Sequence, residues 1–168
     1  MTLNAIDMVD DIKIENNKQM KKSGKTDYFY AVGRRKESSA RVRLYASIKE
    51  GQMWNDQPVS KDQILVNGMP IEKYFPGPLN KAKYQLPLVL TNTLGKYAVT
   101  IKVEGGGKAG QLGALILGLA RALSLANKEK NRPVLKSKKL LKVDARVRER
   151  RKVGTGGKAR RKKQSPKR

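Results

Sequence analysis

Two stretches of the chain alternate apolar and polar residues with a period of two. Ala40, Val42, Leu44 and Ala46 interleave with Arg41, Arg43 and Tyr45, and Tyr97, Val99, Ile101 and Val103 interleave with Ala98, Thr100, Lys102 and Glu104. Successive strand residues face opposite sides, so each stretch predicts a strand with one apolar face. Ile64-Leu65-Val66 runs into Asn67-Gly68, a strand ending in a turn. Tyr28 to Val32 is aromatic and β-branched enough for a further strand. These four strands predict an antiparallel or mixed sheet with one covered face.

The cover has a different period. Leu112, Leu115, Ile116, Leu119, Leu123 and Ala126 follow the i, i+3, i+4, i+7 spacing of a helix face. Gly110, Gly113 and Gly118 each weaken that helix by about 1 kcal/mol, which predicts that they permit close approach of sheet or backbone. Pro133 suits the first turn of a later helix through Leu141, and Asp144 is placed to cap a short helix carrying Arg146, Arg148 and Arg150. Asn80 to Leu94 is ambiguous, with Pro87 interrupting it, and no internal repeat is present. The expected fold is α+β: a small α/β sandwich, a mostly antiparallel four-stranded sheet with helices packed on it, plus a long basic C-terminal tail.

Charge divides the 168 residues unevenly. Residues 1–27 carry no net charge, residues 28–127 carry +8, and residues 128–168 carry +16 of the total +24. This predicts an N-terminal extension over 1–27, a globular domain over 28–127 and a basic helical segment and extended tail over 128–168. Only nine of the last 41 residues are apolar, too few to offset the entropy of ordering them. The tail therefore reads as an arm that orders on its partner, with a solvated solubility tail as the alternative. A net charge of +24 repels itself, so a dense polyanion such as nucleic acid is the natural partner.

The chain has no histidine and no cysteine, which excludes thiolate and imidazole metal sites, disulfides, Cys nucleophiles and His-based triads. No cofactor or metal is expected. The longest apolar run, Leu112 to Ala120, falls short of the roughly 20 residues of a membrane span. The N-terminus carries acids where an import signal would carry Arg, so a cytoplasmic chain is expected, with neither membrane nor small-molecule substrate as partner.

Three constellations carry the functional reading. Gly33-Arg34-Arg35-Lys36 follows the first predicted strand and would release three cations at a sheet edge, with Arg41 and Arg43 extending the basic surface; a solvated hairpin tip is the alternative. Gly105-Gly106-Gly107-Lys108 joins a strand to a helix, where backbone N–H groups and the positive end of the helix dipole favour an anion. That loop reads as a site for an RNA phosphate, a plain tight turn or a nucleotide pocket; the Walker pattern would need Ser or Thr where Ala109 stands. The third is the tail: Arg146, Arg148, Arg150, Arg151 and Lys152, then Gly154-Thr155-Gly156-Gly157, then Lys158, Arg160, Arg161, Lys162 and Lys163, closing on Lys167-Arg168. Arginine suits such an arm because its planar fork meets phosphate at two points and stacks on bases.

Taken in order, Gly-Arg-Arg-Lys at 33–36, Leu-Val-Asn-Gly at 65–68, Gly105-Gly106-Gly107 with Gly110-Gln111, Leu119-Ala-Arg-Ala-Leu123, Asp144-Ala-Arg146, Glu149-Arg-Arg-Lys152 and Lys158-Ala-Arg-Arg161 resemble the family of the ninth small-subunit ribosomal protein. The similarity covers about residues 28–168. It implies an α/β sandwich on the head of the small ribosomal subunit with its tail threaded through small-subunit ribosomal RNA. It further implies that Lys167 and Arg168 approach the anticodon stem-loop of peptidyl-site tRNA. Carried over by position, Arg34, Arg35, Lys36, Gly105 to Lys108, Gln111, Arg121, Arg146, Arg150, Arg151, Lys152, Lys158, Arg160 and Arg161 face RNA or shape its loops. Arg121 reads equally as an exposed helix residue, and Gln111 as a hydrogen bonder at the helix start. The family closes on Gln-Phe-Ser-Lys-Arg, whereas this chain has Gln164-Ser165-Pro166-Lys167-Arg168, so the stacking of an aromatic is lost and Pro166 stiffens the backbone.

The N-terminal extension lies outside that resemblance. Leu3, Ile6 and Val9 have partial helical spacing, consistent with either disorder or a short helix docking on a neighbouring small-subunit head protein. Two other functions compete with a ribosomal one. A DNA-compacting protein shares the charge but not the ordered motifs, and a phosphate-handling enzyme built on Gly105 to Lys108 lacks a motif-placed base. A bacterial cytoplasm is favoured over an organelle.

Overall fold

The strands of the central sheet lie in the order β1-β2-β7-β5-β6, formed by Tyr28–Arg35, Ser38–Tyr45, Ala98–Glu104, Ile64–Val66 and Met69–Pro70. In this computed structural model residues 28–47, 53–54 and 57–150 are described. The expectations for residues 1–27 and 151–168 lie outside them. β1 and β2 form an antiparallel hairpin from Tyr28↔Tyr45 to Arg35↔Ser38, and β2 pairs antiparallel with β7 from Ser39↔Glu104 to Tyr45↔Ala98. β5 runs parallel to β7 and turns at Asn67-Gly68, both at positive φ, into the antiparallel β6. The sheet is thus mixed and gains a fifth strand, Met69–Pro70, that no alternation announces. Two short strands, β3 (Met53–Trp54) and β4 (Gln57–Pro58), form a separate ladder.

Among the described residues four helices accompany the sheet: α1 (Ile71–Tyr74), α2 (Pro78–Leu90), α3 (Lys108–Ala126) and α4 (Lys128–Ser137). The stretch with Pro87 is helical after all. Pro78 occupies its first turn, Pro87 is buried inside it, and the chain leaves it at Asn92 with φ of 50°. There Thr93 N–H returns to the Leu88 carbonyl at 2.9 Å, a Schellman closure.

α3 begins four residues before the apolar run suggested, at Lys108. Its length and composition would suffice for a membrane span, but it is largely buried inside this domain. Ala31, Ala40, Val42, Leu44, Ile101 and Val103 on the sheet meet Leu112, Leu115, Leu119 and Leu123 of the helix in one core. The helix approaches closest at Gly33 and Gly118, whose backbones pack together with no room for a Cβ on either. Gly118 is thus a close-approach position, as the sequence predicts, whereas Gly33, expected as a turn after the first strand, lies inside β1 and packs against the helix.

Three local expectations change. α4 starts at Lys128 because the Asn127 side chain accepts from Lys130 N–H, leaving Pro133 inside the helix. It stops at Ser137 because Lys139 turns to φ of 58° and Leu140 N–H bonds back to the Leu135 carbonyl at 3.1 Å. Residues 143–150 are not helical. Asp144 does accept Arg146 N–H at 3.2 Å, as a cap would, but its other oxygen is taken by arginine side chains and the helix does not propagate. The fourth difference lies on the sheet's far face. Tyr45, Val59, Leu65 and Ala98 form a second small core there with Tyr28 and Trp54, so that face is covered at one end.

Candidate nucleic-acid interface

The loop after β7 owes its shape to consecutive glycines. Gly105 and Gly106 take φ of 73° and 57°, conformations that cost a side-chain-bearing residue free energy. The Gly105 carbonyl accepts from Ser38 Oγ and Gln111 Nε2, both at 3.1 Å. Gln111 in turn accepts from the Tyr74 hydroxyl at 3.0 Å, so it braces the loop. Gly107 leads into α3 with no side-chain cap and no acid in the first turn. The first N–H groups of a 19-residue helix thus face outward, where the helix dipole favours an anion.

Lys108 stands at the same end. Its Nζ lies 3.5 Å from the Tyr74 ring centroid and donates to the Tyr74 carbonyl at 3.4 Å. Ring and carbonyl both hold a cation without neutralising it.

The β1–β2 hairpin brings a second set of cations to this loop. Lys36 sits at its tip with φ of 53°. Arg35 points to the helix side, where its stem crosses Gly113 and its Nη2 donates to Asp144 Oδ2 at 3.0 Å. Asp144 also accepts from Arg146 Nε and Nη2, at 2.9 and 2.7 Å. Chiefly the hydrogen bonds from Arg146, and then the charge of Arg35, hold the Asp144 carboxyl well below the usual carboxylate range. Asp144 is thus a charged clip that fastens residues 144–148 beside the loop.

The result is one groove of about 560 Å³ at the end of the sheet, lined among others by Lys36, Ser38, Gly107, Arg146 and Arg148. A neighbouring hollow of about 510 Å³ shares Arg35 and Lys36 and adds Lys83 and Lys108. Backbone N–H groups, a helix N-terminus and cations converge here from three separate stretches of sequence. Glu37 and Asp144 are the only acids lining the two hollows among the described residues.

Other expected residues stand elsewhere. Arg34 is exposed, and Arg41 and Arg43 point from the face of the sheet opposite α3, so they do not extend the groove. Arg41 lies 3.8 Å from Glu104, and the Arg43 guanidinium sits 5.2 Å from the Tyr28 ring. Lys102 reaches Glu104 at 3.0 Å, and it, with Arg41 second, lowers the Glu104 carboxyl. Arg121 is neither freely exposed nor in the groove: its Nη1 donates to the Val32 carbonyl at 2.8 Å, tying α3 to β1. Arg148 and Arg150 are exposed. Arg151, Lys152, Lys158, Arg160, Arg161, Lys162, Lys163, Lys167 and Arg168 lie outside the described residues. The sequence reading missed Ser38 in the groove, Lys83 in the neighbouring hollow, and the clipping role of Asp144. Nothing in the local sequence of Ser38 or Lys83 marks it, since sheet register and α2 bring them there.

Among the described residues no cluster of carboxylates could hold a metal. The described residues form a small α+β sandwich with a cationic groove of loops at one end of the sheet. Residues 33–168 match the profile of the family described as ribosomal protein S9/S16. The chain is 42% identical over 125 residues to small ribosomal subunit protein uS9 of Bifidobacterium animalis subsp. lactis, covering 74% of this chain and 69% of that one. It is 44% identical over 131 residues to small ribosomal subunit protein uS9 of Maridesulfovibrio salexigens, covering 78% and 90%. The chain belongs to the ribosomal protein S9/S16 family. It is a structural protein and not an enzyme.

Proposed function

We propose that this chain is a structural constituent of the small ribosomal subunit in a bacterial cytoplasm, and that it holds small-subunit ribosomal RNA in the groove between Lys36, Gly107 and Arg148. The observation that supports this most is the convergence of the β1–β2 tip, the N-terminus of α3 and the clipped segment 144–148 on one cationic hollow. Such a surface takes phosphates by position and charge and reads the shape of an RNA junction more than its base sequence. On this reading the basic residues beyond Arg150 bind further RNA phosphates, and Lys167 and Arg168 contact the anticodon stem-loop of peptidyl-site tRNA. Neighbouring head proteins are the remaining partners.

The test is sedimentation of a lysate through sucrose at low and high salt, following the full chain. Comigration with the small subunit that survives a high-salt wash is expected, followed by crosslinking of Arg168 to tRNA. Release in high salt, or migration with the nucleoid, contradicts the proposal and favours a general nucleic-acid binder.

A further inference from the structure

The face of the sheet turned away from α3 carries a second, unlike hollow. It measures about 280 Å³ and is walled by Tyr28, Tyr30 and Trp54, with Arg41, Arg43 and Lys102 around it and Thr100 as a further lining residue. Its chemistry differs from that of the loop groove: there the donors are cations and backbone N–H groups, here aromatic rings stand among cations. Tyr30 is 47% exposed although it is a large ring on a regular strand. The Thr100 hydroxyl is the one buried side-chain polar atom without a hydrogen-bond partner among the described residues. Glu104 offsets one of the three cations, which leaves the patch positive.

Rings beside cations on an open sheet suit a flat, apolar-faced group that carries negative charge next to it. A nucleobase with its flanking phosphates has that character, and bases stack on such rings whatever their identity. A hollow of 280 Å³ lies at the small end of ligand sites, suited to one planar group. A duplex, whose bases are stacked inside, cannot offer one. We propose that this face seats a single unstacked base of single-stranded RNA against Tyr30 and Trp54, with Arg41, Arg43 and Lys102 meeting the phosphates on either side. The proposal rests on the reading of the chain as an RNA binder and adds a second, base-stacking site to the phosphate groove. β2 links the two, with Ser38 at the groove and Arg43 at the hollow. At about 3.3 Å per residue, one RNA strand can span both.

Trp54 is the only tryptophan of the chain, so its fluorescence reports this hollow alone. The experiment titrates the full-length protein with single-stranded oligouridine, with an abasic oligomer of the same length and with duplex RNA. A labelled RNA read by anisotropy follows total binding in parallel. Saturable quenching by oligouridine, with little by the other two, is expected. Y30A, which removes an exposed ring and spares the core, is expected to weaken the quenching titration on the order of tenfold. K36Q with R148Q is expected to weaken total binding while leaving the quenching at saturation unchanged. RNA binding by anisotropy without quenching, or equal quenching by abasic and duplex RNA, overturns the base site and leaves the groove standing. Quenching by a polyglutamate peptide in place of RNA overturns it in favour of a protein-docking face. Absence of all RNA binding overturns the groove reading itself.

Discussion

Arg35 Nη2 and Asp144 Oδ2 meet at 3.0 Å, closing a loop of 109 residues between the first strand and the segment that leads to the basic tail. Both side chains are partly exposed, 39% and 29%, so the pair adds little to global stability. Its effect is positional, since the same carboxylate holds Arg146 by side chain and backbone. D144N is therefore expected to leave the unfolding free energy nearly unchanged, while Arg146 N–H exchanges with solvent much faster. Hydrogen exchange alongside a denaturation curve checks both. A large loss of stability with unchanged exchange would mean that the clip is misread.

Acid titration gives an independent check of the clip. Because the folded-state value of Asp144 is depressed, chiefly by Arg146, its stabilisation is fully present above the ordinary aspartate value of about 3.9. It is lost only as pH falls through the lower folded value. The carboxyl resonance of Asp144 is expected to titrate well below about 3.9, with R146Q moving it back upward more than R35Q. A midpoint at the ordinary value in the unsubstituted protein contradicts the geometry.

Three glycines separate packing from turn chemistry. A Cβ on Gly118 would stand 3.2 Å from Gly33 N and 2.7 Å from Val42 Cγ2, so G118A forces α3 off the sheet and costs about 1–3 kcal/mol. G33A meets the backbone of α3 even more directly and is expected to cost at least as much. Gly107, by contrast, has open space around its missing Cβ and an extended backbone at the helix start. There G107S supplies a capping hydroxyl and is expected to be neutral or stabilising by a few tenths of a kcal/mol. Thermal unfolding of the three variants checks the order.

The unpartnered hydroxyl of Thr100 predicts a gain. Leaving a buried donor unpaired costs about 1–3 kcal/mol, and Thr100 is 1% exposed in the interior of the sheet. T100V is expected to raise the urea midpoint without changing the slope of the transition. A lowered midpoint would mean that the hydroxyl has a partner in solution.

The parts of this molecule that were legible in sequence are those governed by short-range periodicity. The alternation around Val42 and Ile101 and the helical spacing from Leu112 to Leu123 translate directly into core contacts. The glycine loop announced one of the groove's three sides, because φ above zero has few residue solutions, and the run Arg34-Arg35-Lys36 announced a second by its charge, although Gly33 lies inside β1 and the turn falls at Lys36. The third side was legible only as charge: nothing local to Asp144 reveals that Arg35, far away in sequence, competes with the helix it would cap. α2 was obscured by Pro87, which lies inside the helix and removes the N–H that would bond to the Lys83 carbonyl. Arg41 and Arg43 were read into the wrong surface because alternation says that they point outward but not which loops share that face.

The most direct test of the groove is the salt dependence of binding between the full chain and a small-subunit ribosomal RNA head fragment. The affinity is expected to fall on the order of a thousandfold between about 50 and about 200 mM salt. A K36Q/K108Q/R148Q variant, lacking three of the converging cations, is expected to lower the log–log slope by about two units and to remain folded. A shallow curve for the unsubstituted chain, or a slope that the three substitutions leave unchanged, would contradict a phosphate-binding groove at this end of the sheet.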